Sequence, residues 1–248
     1  MKISVITATW NSERTIKDTL MSYRSQSYKN TEYIIIDGGS TDSTMDIVDE
    51  HKDIVDYVIS ERDSGIYDAL NKGIEAATGD VVGFLHSDDV FAYNGALKAI
   101  ANSFQQHNVD SVYGDLNYVS KTNINKVIRR WESGEYNRNN ILNGWMPAHP
   151  TFYLKRSNYN TLGSFDLEYK IAADYDSVLR YLWKNNITTA YIPKVLINMR
   201  VGGESNRSIS NIIKKTREDY RALQYNGVPA FRAILGKNLS KIPQFFKK

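Results

Sequence analysis

Val81-Val82-Gly83-Phe84-Leu85-His86-Ser87-Asp88-Asp89 is the stretch whose reading decides the fold of this chain. Its first five residues read as a strand buried on both faces, and the strand runs into two adjacent carboxylates. In open α/β sheets, ligands bind at the carboxyl ends of the strands. Adjacent aspartates repel each other, so the pair costs stability unless a cation or a hydrogen-bonding ligand compensates. Hard oxygen ligands suit Mg2+ or Mn2+, which keep several waters and take further ligands from substrate phosphates. The alternative is a solvated turn that caps the next helix.

Upstream of this stretch, short apolar strands alternate with amphipathic helices. Ile3–Thr7 reads as a strand, and Asn11 or Ser12 is placed to cap a helix that turns Ile16, Thr19, Leu20 and Tyr23 to one face. Tyr33–Ile36 is a second strand, closed by Asp37-Gly38-Gly39-Ser40-Thr41-Asp42. A helix from Thr44 to Glu50, a strand over Ile54–Ser60 and a periodic helix with Ile66, Ala69, Leu70, Gly73, Ile74 and Ala77 inward complete the run. The βαβα rhythm predicts an α/β fold with three layers and a mostly parallel central sheet. After Gln106 the pattern turns to hairpins: strands over Ser111–Tyr113, Leu116–Ser120 and Lys126–Trp131, then a loop-rich stretch from Ser133 to Pro150. A helix over Ala173–Asn185 with Val178, Leu179 and Leu182 as its core stripe precedes strands at Thr188–Ile192 and Val195–Val201.

Composition narrows the class. With 248 residues, 42% of them hydrophobic and 24% charged, the chain is an ordinary globular protein with room for one large domain and an appendage. The absence of cysteine removes disulfides and thiolate metal sites and fits a reducing compartment. The Met1-Lys2-Ile3-Ser4 start has no signal-peptide layout, and no apolar run approaches the roughly 20 residues needed to span a bilayer. Residues 207–248 hold 10 Lys/Arg against 2 Asp/Glu, a net +8, whereas residues 1–206 hold 21 against 26, a net −5. Such a tail touches something anionic.

The strand ends carry the candidate chemistry. Thr7-Ala8-Thr9-Trp10-Asn11, Asp37-Gly38-Gly39 and Ser87-Asp88-Asp89 would line one cleft. Asp37 either accepts from a base N–H or a ribose hydroxyl or closes an ordinary turn, with glycines that let the backbone approach a ligand. Trp10 either covers a base or packs. Asp63 either caps the next helix or reaches the base, and Lys72 is either a solvated charge or a support for a diphosphate. Asp174 either N-caps a helix or serves as a base kept ionised by the N-terminal dipole. Asp115 is either a turn residue or a ligand of hydroxyl groups, and His149 either is structural or faces a diphosphate. His51, His86 and His107 form no ligand spacing with His149, which speaks against a zinc hydrolase. G-x-S-x-G, Walker A and G-x-G-x-x-G patterns are missing from the sequence.

Four motifs in order, Val5-Ile6-Thr7-Ala8-Thr9-Trp10-Asn11, Ile36–Asp42, Gly65-Ile66-Tyr67-Asp68-Ala69-Leu70-Asn71-Lys72-Gly73 and Ser87-Asp88-Asp89, resemble the family 2 inverting nucleotide-sugar glycosyltransferases. The likeness is to the bacterial exopolysaccharide and O-antigen branch and runs from Ile3 to Asn206. It implies a GT-A (Rossmann-like) fold over residues 1–206, with a nucleotide-sugar donor half (1–115) and an acceptor half (116–206), followed by the basic helical tail 207–248. By the same likeness Asp88 contacts ribose, Asp89 binds Mn2+ or Mg2+, and Asp174 of Ala172-Ala173-Asp174-Tyr175-Asp176 is the catalytic base. Tyr113-Gly114-Asp115 is similar to an element beside the sugar site, and His149-Pro150-Thr151-Phe152 resembles the acceptor-side strand. Many members have Glu where this chain has Ala173, so a role for that carboxylate is missing here. The Gln-x-x-Arg-Trp pattern of processive synthases is absent, which implies transfer of one sugar per acceptor.

The expected function is metal-dependent, inverting, non-processive transfer from a nucleotide-diphosphate sugar, UDP-linked in preference, to a saccharide acceptor on a lipid. A sugar nucleotidyltransferase is the second enzyme reading, but it needs a Gly-rich basic loop where Thr9-Trp10-Asn11-Ser12 stands. A catalytically silent nucleotide- or saccharide-binding module is the third. In the tail, Lys214, Lys215, Arg217, Arg221, Arg232, Lys237, Lys241, Lys247 and Lys248 interleave with Ile212, Ile213, Leu223, Phe231, Ile234, Leu235, Phe245 and Phe246. That suits either a helix lying on an anionic bilayer, as a peripheral protein of the cytoplasmic face, or a helix folded back on the domain. The acidic body speaks against nucleic acid as a partner.

Overall fold

A computed structural model describes residues 1–202 and 209–239. Tail residues Lys241, Phe245, Phe246, Lys247 and Lys248, and the expected boundary at 206–207, lie outside the described residues. In chain order the elements are β1 (Ile3–Thr9), α1 (Ile16–Arg24), β2 (Thr31–Asp37), α2 (Thr44–Asp49), β3 (Tyr57–Ser60), α3 (Ile66–Ala76), β4 (Val81–Phe84), β5 (Val90–Phe91) and α4 (Ala96–His107). They continue with β6 (Ser111–Val119), β7 (Val127–Trp131), α5 (Arg138–Ile141), β8 (Tyr153–Lys155), α6 (Arg156–Leu162), α7 (Ala173–Val178), β9 (Thr189–Arg200), α8 (Ile209–Tyr225) and α9 (Ala230–Leu239).

One mixed sheet has the order β3-β2-β1-β4-β8-β6-β9-β5, with β7 paired to β6. The four strands of the first half are parallel, as the βαβα rhythm predicts. Beyond β4 the sheet changes character: β8 is antiparallel to both β4 and β6, and β6 and β9 are parallel. Alternation along the strands makes three layers. Ile3, Val5, Tyr33 and Ile35 join one core with α1 and α4, while Ile6, Ala8, Ile34 and Ile36 join another with α3 and α7. Strands buried on both faces explain why these segments read as largely apolar runs.

Several expectations are corrected by tertiary packing. The helix after β1 begins at Ile16 with Thr15 as its N-cap, not Asn11 or Ser12. Asn11 instead adopts a left-handed φ of 47° and accepts from the Thr41 amide at 2.9 Å. Ile66 is 47% exposed, although Ala69, Leu70, Gly73, Ile74 and Ala77 are buried as read. The two strands predicted on either side of Gly114-Asp115 form the single strand β6, and those on either side of Pro193-Lys194 form the single strand β9. The register steps from Gly114↔Ile192 to Asp115↔Val195, so Pro193 and Lys194 bulge out of the ladder. Proline cannot donate to a ladder and is tolerated at such a bulge. The helix over 173–185 is α-helical to Val178 and widens into a π-helix over Leu179–Lys184.

The tail folds back on the domain. Ala222, Leu223, Val228 and Ala233 are buried in the same core as α3 and α7. Helix α9 also closes on the loop that leads to His149. A Cβ on Gly144 would strike the Ala233 carbonyl and the Lys237 amide, and one on Gly236 would strike the Asn143 carbonyl. Gly144 also sits at φ +78°. Gly144→Ala is therefore expected to cost about 3 kcal/mol, from overpacking plus a left-handed backbone. Chemical denaturation measures it, and a loss below about 1 kcal/mol would show that α9 moves aside freely.

Candidate active site

The parallel strands end in one row. Thr9 pairs with Asp37, and Asp37 with Ser60, across β1, β2 and β3. Asp37 is fully buried and its carboxylate accepts from the Gly39 amide (3.2 Å), the Ser40 amide and hydroxyl (3.1 and 2.5 Å) and the Ser60 hydroxyl (2.7 Å). It builds the Gly38-Gly39-Ser40 turn rather than standing free at the edge. A side chain at Gly38 would meet Asp63 Oδ2 at 2.5 Å, so this glycine keeps a narrow space before Asp63. Asp63 Oδ1 accepts from the Gly65 amide at 2.8 Å, a local turn before the helix, and Gly65 rather than Asp63 or Ser64 is the N-cap of α3. Trp10 is 66% exposed beside this row. Thr7 lies inside the sheet and donates to the Leu85 carbonyl at 2.5 Å, which makes it a core hydroxyl.

Past the end of β4, the Asp88-Asp89 turn is anchored by its backbone. The Asp89 amide donates to the His86 carbonyl at 2.9 Å, and Thr19 Oγ1 donates to the Asp89 carbonyl at 2.8 Å. Arg200 Nη1 donates to the Asp88 carbonyl at 2.6 Å while its Nη2 pairs with Asp18. With the backbone so committed, the Asp89 carboxylate is wholly buried and neither oxygen has a hydrogen-bond partner. Burial first, then the neighbouring Asp88, pushes its carboxyl well above the usual carboxylate range, against a smaller pull from Arg200. Two orphaned carboxylate oxygens of this kind fit a hard divalent cation. Among the described residues no group of three His, Cys, Asp or Glu could hold such an ion, so a cation there would take most of its shell from other ligands.

Asp174 stands in the first turn of α7, and the Tyr67 hydroxyl lies 3.2 Å from its Oδ1 and 2.8 Å from the Ile171 carbonyl. His149 stacks on Phe84 (5.5 Å) and lies 6.4 Å from the His86 ring. Burial lowers the His86 pKa, opposed by the charges of Asp88 and Asp174. The fold thus brings His149 to Phe84 and to His86, which precedes Asp88 and Asp89 of the turn in the chain, and brings Tyr67 to Asp174. The pairing of the two histidines has no counterpart in sequence spacing. Tyr67 sits inside a motif quoted above, but only the fold points its hydroxyl at Asp174.

Two expected donor ligands are spent elsewhere. Asp115 is buried and accepts from Tyr191 (2.7 Å), the Ser133 amide (3.0 Å) and Arg130 (3.0 Å), so it holds the loop at Ser133. Lys72 pairs with Glu61 at 2.7 Å and with Asp68 at 3.8 Å, the solvated-charge alternative.

His149 makes a pH prediction. Burial lowers its pKa to about 4, only partly opposed by Asp174. The stability of the neutral, buried ring is fully present above pH 6.5 and is lost as pH falls from there toward 4, because only the unfolded chain takes up the proton. The loss amounts to about 3 kcal/mol. His149→Gln is expected to lose less stability than the parent between pH 7 and 4.5 in urea titrations. Equal losses would mean that the ring protonates in the folded state.

The pattern of the family described as "Glycosyl transferase family 2" matches residues 4–164. The chain belongs to glycosyl transferase family 2. The PGL/p-HBAD biosynthesis glycosyltransferase of Mycobacterium tuberculosis is 31% identical over 208 residues, covering 82% of this chain and 78% of that protein. Residues 1–349 of TarS of S. aureus, solved with UDP-GlcNAc, superpose with a TM-score of 0.72 at 22% identity over 96% of this chain and 72% of that one. The mannosyltransferase PcManGT of Pyrobaculum calidifontis, solved with GDP-Man and Mn2+, gives 0.67 at 19% identity over 95% and 68%. This family 2 protein is therefore a glycosyltransferase with the GT-A fold.

Proposed function

We propose that this glycosyltransferase moves one sugar from a nucleotide-diphosphate sugar, UDP-linked in preference to GDP- or dTDP-linked, with inversion, onto a saccharide acceptor carried on a lipid. The carrying observation is the orphaned Asp89 carboxylate beside Asp88 at the β4 end. The nucleotide sugars bound by TarS and PcManGT support the donor class, and Mn2+ in PcManGT supports the metal.

Asp88 would meet the ribose and Asp89 would hold the divalent ion, with Trp10 and Asp63 beside the base and Asp37 shaping the Gly38-Gly39-Ser40 turn between them. A cation held there supplies neutralisation of the charge on the departing diphosphate. Asp174 takes the proton of the acceptor hydroxyl as that oxygen bonds to the anomeric carbon. The bond from that carbon to the diphosphate oxygen breaks on the opposite face, and the electron pair leaves with the nucleoside diphosphate. His149, stacked against Phe84, lines the acceptor side as a neutral imidazole. A thermal-shift screen of UDP-, GDP- and dTDP-sugars with and without Mn2+ tests this reading. The largest stabilisation is expected for a UDP-sugar with Mn2+. Nucleotide binding indifferent to both Mn2+ and Asp89→Ala would favour a silent binding module.

The tail supports a site at an anionic bilayer. Ile212, Ile213, Thr216, Arg217, Tyr220 and Ile234 line a groove of about 440 Å³, and Phe231 (79%) and Leu235 (48%) are exposed nearby. Exposed Lys214, Arg217 and Arg232 supply the positive charge, whereas Arg221 pairs with Glu168. Among the described residues no helix is long and apolar enough to cross a membrane. Because α8 and α9 contribute to the core, point changes test the idea better than deletion. The pair Phe231→Ser and Leu235→Ser is expected to weaken sedimentation with phosphatidylglycerol vesicles about tenfold. Unchanged sedimentation would remove the membrane from the proposal.

A further inference from the structure

The backbone entering the Asp174 helix is held from outside the helix. The amides of Lys170, Ile171 and Ala172 all donate to one oxygen, Glu218 Oε2 on α8, at 3.0, 2.8 and 3.0 Å. Ala172 is the N-cap of α7 and offers no side-chain acceptor, so Glu218 holds the N-cap amide and the two amides that precede it. A carboxylate accepting from backbone N–H groups makes bonds about twice as strong as neutral ones.

The same tail grips α7 on the other side of Asp174. Asn226 Nδ2 donates to Asp176 Oδ1 at 2.8 Å, and the Lys237 ammonium lies 3.3 Å from the Tyr175 ring centroid. Asp219 ties that lysine to the helix, at 2.9 Å from Lys237 and 3.0 Å from Lys215. Asp174 therefore sits between a segment held by Glu218 (170–172) and one held by Asn226 and Lys237 (175–176). Tyr67 reaches the Asp174 carboxylate from α3.

We propose that Glu218 is a positioning residue for sugar transfer: by clamping the Lys170–Ala172 backbone it aims Asp174 at the acceptor hydroxyl, which makes α8 part of the catalytic unit. This rests on Asp174 as the base. Nothing in the sequence marks the clamp, because Glu218 lies in a charge-rich helix where a solvated role is the default reading. Misplacing a catalytic group by an ångström costs about two orders of magnitude in rate, so the clamp acts on rate more than on binding.

The test uses the full chain, with nucleoside diphosphate release measured from a pool of UDP-GlcNAc, UDP-glucose, UDP-galactose and GDP-mannose in the presence of octyl glycosides. Amide hydrogen exchange over residues 170–176 is followed in parallel. Glu218→Ala is expected to lower the rate about ten- to hundredfold. It should speed exchange at 170–172, leave the Kd for UDP with Mn2+ within about twofold, and shift Tm by only about 2–4 °C. Glu218→Gln keeps the accepting oxygen and should recover most of the rate. In an Asp174→Asn background Glu218→Ala should cause no further loss, since a residue acting through Asp174 has nothing left to position. A rate unchanged in Glu218→Ala, a parallel loss of UDP affinity, or an additional loss in the Asp174→Asn background overturns the proposal. Near-parental transfer by Asp174→Asn alone would instead overturn the base assignment.

Discussion

Asp174→Asn is expected to lower kcat for sugar transfer by about three orders of magnitude while the Kd for UDP with Mn2+ stays within about twofold. The substitution is nearly isosteric. The amide oxygen can still accept from Tyr67, whose hydroxyl lies 3.2 Å from Oδ1 in the parent, and the helix start keeps its bonds to Glu218. Only the capacity to take a proton is lost. An acceptor hydroxyl attacking without a base must expel its proton to water, and general base catalysis is worth about 10²–10⁴ in rate. Initial rates and calorimetry separate the two effects. A donor affinity that falls with kcat would move Asp174 out of the base role and into donor binding.

Asp89→Ala is expected to produce the second large effect, a loss of at least about a hundredfold in Mn2+-dependent UDP affinity. Both Asp89 oxygens are buried without partners, next to Asp88, an arrangement that costs stability as long as no cation is bound. The same substitution is therefore expected to raise the Tm of the metal-free protein by about 2–4 °C. Opposite signs on binding and on stability mark a residue kept for function. A lowered Tm together with intact Mn2+-dependent binding would make Asp89 a structural residue.

Much of the donor half was legible because its signals are local. Strands buried on both faces are mostly apolar, so Ile3–Thr7, Tyr33–Ile36 and Val81–Leu85 could be read directly, and the helices between them show their period. The acceptor half was harder. Pro193 and Gly114 look like strand breaks, yet across the β6–β9 ladder they form a bulge and the small residue that admits it, with Leu196 packed where a Gly114 side chain would stand. The strands pair with partners distant in sequence, so local patterning could not set their limits.

The candidate site divides in the same way. Asp88, Asp89 and Asp174 were nominated by residue type and by likeness to a family. Whether an aspartate faces a ligand or a neighbouring loop depends on where hydrogen-bond donors from remote elements fall. Asp37 is consumed by its own turn and by Ser60 of the next strand, and Asp115 by Tyr191, Ser133 and Arg130, whereas Asp89 is left without any. The convergence of His86 on His149, the aim of Tyr67 and the Glu218 clamp are tertiary for the same reason.

By itself, the sequence determined the βαβα donor half, the aspartate pair at the end of β4 and the basic, amphipathic character of the tail, because periodicity and charge are properties of neighbouring residues. Only the tertiary structure decided that Asp89 is orphaned, that α8 and α9 close on the domain, and that Glu218 holds the start of the Asp174 helix. Those facts depend on donors and acceptors far apart in the chain, whose meeting is set by the packing of the sheet and not by any local pattern.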